Sequence, residues 1–273
     1  MRRAGFALRS RGGKHADQPS TEKRNGVHVR IAAMPARYSA VGANVEDVRE
    51  RIANAAQRAG RHAGEITLVA VSKTISPEVI HAGYDAGLRH FGESRVQETE
   101  AKRPELAGLD AAWHFIGHLQ ANKVRRAVRL FDRVDSVDSE GLARKLDSSA
   151  AEEGKVLPVL IEVHLGNEPT KSGVREAELT PLAEAVMALS YLDLRGLMTV
   201  PPFFERREEV RPYFRKLREL RDTLGISLGG SLGRALPVLS MGMSHDFEIA
   251  IEEGATEIRV GQALFGDRAK PAA

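Results

Sequence analysis

Cysteine is absent from the 273 residues, which removes disulfides, thiolate metal sites and cysteine nucleophiles, and fits a reducing, cytoplasmic setting. No apolar run approaches the roughly 18 residues that a membrane helix needs; the longest, Val156–Val163, is broken by Pro158. Neither GxGxxG nor GxxxxGK(S/T) occurs, so the glycine-rich loops of nucleotide-binding folds are missing. There is no HExxH, no carboxylate cluster at metal spacing, and no Ser-His-Asp arrangement that the sequence alone can pick out. Membrane proteins, zinc enzymes and nucleotide-binding proteins are therefore poor descriptions of this chain.

What is present is unevenly distributed. The formal net charge is +3. Residues 1–33 carry eight Lys/Arg against Asp17 and Glu22, a net of +6, so the rest of the chain is net −3. The basic character belongs to a Gly-, Ser- and Arg-rich tail without helical or strand period, expected to be disordered. Its Arg-rich composition loosely matches a transit peptide, and Met34, which opens the patterned region, makes an over-long start the plainer reading. Without that tail nothing points to a nucleic-acid face.

From Asn44 onward the pattern is regular. Asn44 is the expected N-cap of a first helix that Gly60 closes. Eight strand-like segments follow: Ile66–Ser72, Leu88–Gly92, Ala111–Gly117, Arg133–Val137, Val156–Leu165, Leu192–Val200, Pro237–Ser240 and Glu257–Gly261. Each is trailed by a helical segment, with starts expected at Ser76-Pro77, near Ser94, Asn122 and Ser139, and at Pro181, Glu208 and His245. Strict β/α alternation argues for a parallel sheet, and eight units in about 240 residues for closure into a single (β/α)8 TIM barrel over residues 34–273. An open doubly wound sheet is the rival.

Such barrels place function at the carboxyl ends of the strands. Lys73 follows the first strand directly; partial desolvation between apolar walls would make it a nucleophilic amine able to condense with an aldehyde. Ser244, after strand 7, is the expected N-cap of the next helix, and Gly261 after strand 8 permits close backbone approach; barrels often hold phosphate in these two loops. Arg259, between Ile258 and Val260, needs either a salt bridge to a neighbouring strand or an anion. Glu93, Asn122, Lys123, Asn167 and Lys171 follow strands and are weaker candidates for the mouth. His114 and His118 read as site-lining or structural histidines.

At these residues the chain resembles the YggS/PROSC family of pyridoxal 5′-phosphate (PLP) homeostasis proteins, relatives of the alanine racemase barrel domain. The resemblance rests on LVAVSK (Leu68–Lys73), FGESRVQE (Phe91–Glu98), WHFIGHLQANK (Trp113–Lys123), TKSG (Thr170–Gly173), LRGLMTV (Leu194–Val200) and the long run Leu239–Gly266. It implies a barrel of PLP fold-type III in which Lys73 holds PLP as a Schiff base. Ser244 with the Gly261 and Gln262 backbone would hold the phosphate, Met241 would border the cofactor, and Arg259 would face the pyridine nitrogen. Three positions depart from the family: Ser94 stands where Asn is usual near the ring, Gln262 where Thr is usual, and His245 where Asp is common.

Racemisation needs a second acid/base group, which alanine racemase supplies as a tyrosine from a second, C-terminal β-domain. About a dozen residues follow the last strand, and none of Tyr38, Tyr84, Tyr191 and Tyr213 lies in a matching segment. The resemblance therefore implies a PLP carrier serving intracellular vitamin B6 homeostasis, with PLP-dependent apo-enzymes as possible partners, as a monomer or weak dimer. A single-domain amino-acid racemase, a class I aldolase-like barrel and a tail-borne nucleic-acid module are the competing expectations.

Overall fold

A computed structural model of the chain describes residues 36–166, 172–229 and 236–267. The basic tail and two of the proposed mouth residues, Asn167 and Lys171, lie outside the described residues. Eight parallel strands, β1 (Thr67–Val71), β2 (His90–Glu93), β3 (Ala112–Phe115), β4 (Arg133–Val137), β5 (Leu157–Glu162), β6 (Leu192–Met198), β7 (Val238–Ser240) and β8 (Glu257–Val260), close into a barrel in sequence order. Closure is made by β1 on β8, with Val69 opposite Arg259 and Ala70 opposite Val260. The expected barrel, not the open sheet, is what forms. Outside it run α1 (Ala36–Arg58), α2 (Pro77–Asp85), α3 (Val96–Lys102), α4 (Val124–Leu130), α5 (Glu140–Glu152), α6 (Glu176–Met187), α7 (Arg211–Gly229), α8 (Phe247–Glu252) and α9 (Gln262–Phe265). None of the described helices is long and apolar enough to cross a membrane.

Local signals decide most boundaries. Ser76 with Pro77 at the first helical position starts α2, Ser139 Oγ accepts from Leu142 N–H to start α5, and Gly60 takes φ +67° just past α1. Three expected starts move. Asn44 is not a cap: α1 begins at Ala36, and the Asn44 amide donates instead to Leu264 O at 2.9 Å. α6 begins at Glu176, not Pro181, because Glu178 reaches back to the Arg175 N–H and starts the helix a turn earlier; Pro181 lies inside. α8 begins at Phe247 with Asp246 as its cap residue, so Ser244 does not cap it.

Barrel closure fixes which side chains face inward. Arg133 on β4 and Glu257 on β8 lie on opposite walls, yet Arg133 Nη2 bonds Glu257 Oε2 at 2.5 Å, so both point into the bore. In-register neighbours share a face, and alternate residues along a strand do too. Glu257 pairs with Thr67 and Arg259 with Val69, so the inner row of β1 is Thr67, Val69, Val71 and, one step beyond, Lys73. The outward rows, including Ala70, Phe91, Trp113, Val134, Ile161, Leu197 and Ile258, pack beneath the helices as the main apolar core.

Candidate functional site

Lys73 is half-buried at the rim, on the inner row of β1. The ladder continues past the strand end, because Ser72 N–H donates to Gly92 O at 3.0 Å, so Lys73 leaves the sheet from a held position. The next residue, Thr74, has φ +64° and is the one non-glycine residue with positive φ among the described residues. Its N–H donates to Glu98 Oε1 at 2.5 Å, and the same carboxylate takes Lys102 Nζ at 2.5 Å. A left-handed threonine costs on the order of 1 kcal/mol and persists only where the surroundings impose it, as this carboxylate does.

The two loops expected to form an anion cradle are joined. Ser244 Oγ accepts from Gly261 N–H and from Ala263 N–H, both at 3.3 Å, so two backbone donors of the β8–α9 turn converge on one oxygen of the β7–α8 loop. These long bonds to a neutral acceptor mark a place that an anionic oxygen would suit better. A Cβ at Gly261 would come within 3.2 Å of Val71 Cβ and of Val71 O, so the glycine lets the turn sit against the end of β1, two residues before Lys73. Gly242 has φ +92°, and a Cβ there would meet Ala250 Cβ at 2.5 Å. Asp246 Oδ1 accepts from Met243 N–H at 2.7 Å and folds the loop between them; burial raises the Asp246 pKa. His245, the departure from the family pattern, lies within 3.2 Å of Phe204 O and ties this loop to the one after β6.

The other expected residues sit as follows. Met241 is fully buried in the apolar core that also holds Leu239 and Phe247, backing the loop. Gln262 is exposed and its side chain donates to Asp267 at 2.6 Å, which leaves its backbone as the part nearest the cradle. Ser94 is half-buried and lines a cavity of about 180 Å³ with His118 and Lys123, with Gly117 packed so closely that a Cβ there would lie 2.6 Å from Ser94 O. Glu93 does not line the mouth: it points outward to Ser72 Oγ and Lys102 Nζ under α3, and burial raises its pKa. Asn122 is exposed on the outer side, beside Arg144 and Lys145.

Arg259 resolves differently from a strand-to-strand salt bridge. Its guanidinium, buried in the bore, donates to Ser240 Oγ at 2.6 Å and Thr199 O at 2.7 Å, and makes no ion pair among the described residues. Burial lowers its pKa, opposed by Glu257, Asp135, Glu162 and Asp246. Five donors with two neutral acceptors leave a cation with capacity to spare, a fit for an electron-rich acceptor at the mouth.

Sequence reading missed two features. One is the floor of the bore: Arg133 bonds Asp135 (2.6 Å) and Glu257, His114 Nδ1 lies 3.6 Å from Asp135, and His114 meets His90 at 3.0 Å. Against the cost of burial, the Asp135 and Glu257 carboxylates raise the Arg133 pKa and Arg133 holds Asp135 well below the usual range, while burial lowers that of His90. His114, Asp135 and Glu257 are close enough to share a metal ion, but both carboxylates are already taken by Arg133. The other is Glu162 on β5, opposite Met198 and through it Ser240; it is buried, with its pKa pushed up to about 7 by desolvation despite Arg259. Charged residues two apart in a short strand (Arg133/Asp135, Glu257/Arg259) were the available signal for the floor.

Lys73 just past β1, the joined turns after β7 and β8, and Arg259 on β8 lie at the mouth of a closed eight-stranded barrel of the alanine racemase N-terminal type. Residues 44–269 match the alanine racemase N-terminal domain family. The pyridoxal phosphate homeostasis protein of Aquifex aeolicus is 49% identical over 221 residues, covering 81% of this chain and 95% of that protein. The structure of PipY from Synechococcus elongatus, solved with PLP bound, superposes with a TM-score of 0.74 at 36% identity, covering 83% of this chain and all of PipY. Alanine racemase of Corynebacterium glutamicum shares the fold (TM-score 0.64, 18% identity, 85% of this chain), and the match spans 61% of that enzyme. The chain belongs to the pyridoxal phosphate homeostasis protein family.

Proposed function

We propose that this protein binds PLP reversibly at the barrel mouth and buffers or delivers it within the cell. The observation that carries this reading is the convergence of the Gly261 and Ala263 amides on Ser244 Oγ, packed against the end of the strand from which Lys73 emerges. When bound, PLP supplies an electrophilic aldehyde and an electron-withdrawing ring. Lys73 Nζ is the amine to which that aldehyde is joined. Ser244 Oγ with the Gly261 and Gln262 backbone holds the phosphate. Arg259 presents a cation that cannot give up its proton, so the ring nitrogen stays unprotonated. Ser94 lines the approach, and Met241 backs the cradle from the core. Residues 34–273 are the binding domain on this reading, and residues 1–33 have no part in it. Cytoplasmic apo-enzymes that use PLP are the expected recipients, with the protein acting as a monomer or weak dimer.

The test is an absorbance spectrum of the purified protein with added PLP beside Lys73→Ala, followed by borohydride reduction and peptide mass analysis. A visible band and a pyridoxyl adduct on Lys73, both lost in the variant, are expected. A wild-type protein that stays colourless and carries no adduct overturns the reading.

A further inference from the structure

Glu162 is a buried charged group on the inner face of the barrel for which the proposed function has no use. It stands on the inner row at the end of β5, buried, and among the described residues its side chain makes no hydrogen bond or ion pair. The charges that act on it are Arg259 from β8, Asp138 from the end of β4 and His118 from the β3–α4 loop. Asp138 Oδ2 and His118 Nδ1 are 3.3 Å apart and face each other. Lys73 stands on the β1 side of the same mouth. Glu162 is in register with Met198 and Met198 with Ser240, whose Oγ accepts from Arg259 at 2.6 Å, so the register brings the Arg259 guanidinium to the Glu162 side of the mouth. We propose that Glu162 is a positioning residue that sets how much of the Arg259 guanidinium is left for an acceptor atom of the bound cofactor. Neutral, it leaves the cation's spare donors to the ligand; ionised, it competes for them. The pKa near 7 places the change within the neutral range. This inference rests on the PLP reading above.

The experiment compares PLP dissociation constants of wild type and Glu162→Gln from pH 6 to 9, by absorbance titration of the intact protein. Glutamine keeps the size and cannot ionise. Effects of pH on Lys73 and on PLP itself cancel in the ratio of the two constants. That ratio is expected near one at pH 6, rising roughly three- to tenfold by pH 9, about tenfold for each unit by which PLP raises the Glu162 pKa. Glu162→Leu takes the same place in the comparison if the glutamine variant does not fold. A ratio that stays flat while both proteins bind PLP overturns the role of Glu162 and leaves the proposed function intact. Absence of saturable PLP binding by wild type instead removes both.

Discussion

Glu257 and Arg259 stand two residues apart on β8, face the same bore, and are stabilised by different means. Glu257 is answered by a guanidinium from the opposite wall, whereas Arg259 is held by neutral oxygens. Removing one partner of a buried pair strands the other charge, so Glu257→Gln is expected to destabilise the fold by about 3 kcal/mol, measured by urea denaturation. Asp135 remains beside Arg133 and keeps the loss from being larger. Glu162 gives a signed pH prediction. Its folded pKa is raised from 4.5 to about 7, so between those values the unfolded chain has released a proton that the folded chain keeps. Stability through this group therefore falls as pH rises from about 4.5 to 7 and stays reduced above it. Glu162→Gln should gain up to about 3 kcal/mol on wild type between pH 4.5 and 8, read from paired denaturation curves. At this scale Lys73, Ser244, Gly261 and Arg259 stand out in the sequence as candidates because each interrupts an apolar or turn pattern in or after a strand. Glu162 was not, because one acid ending a strand gives no sign of which way it faces until the barrel register is known.

Elements followed their local signals where those were strong. Ser76-Pro77 and Ser139 set helix starts, and β4 runs Arg133–Val137 as its pattern implied. They departed where tertiary contacts compete: Asn44 gives up a capping role for the Leu264 carbonyl, and Asp246 instead of Ser244 begins α8 because the Ser244 hydroxyl is engaged across the loops. Glycines in these elements are not equivalent. Gly242→Ala should cost about 2 kcal/mol and weaken PLP binding, since the position combines a left-handed φ with a contact of 2.5 Å to Ala250 Cβ. Gly141, in α5 with nothing within 4 Å of its missing Cβ, is the control: Gly141→Ala should stabilise by about 0.5–1 kcal/mol. Thermal melts with and without PLP separate the two.

For the whole molecule, strand count and β/α alternation carried the fold from sequence to structure because parallel strands buried on both sides read as continuous apolar runs. The polar floor escaped notice because its members are scattered over β2, β3, β4 and β8, and only closure brings Glu257 of β8 to Arg133 of β4. Closure has a further consequence at the seam where Gly261 rests on Val71. In the proposed site the amine follows the first strand and the anion grip lies in the last two turns, so no fragment holding one end of the barrel owns all of its parts. On the proposed reading, a nascent chain would hold PLP only after its final turn has emerged and docked, which would make cofactor retention a report on completed winding.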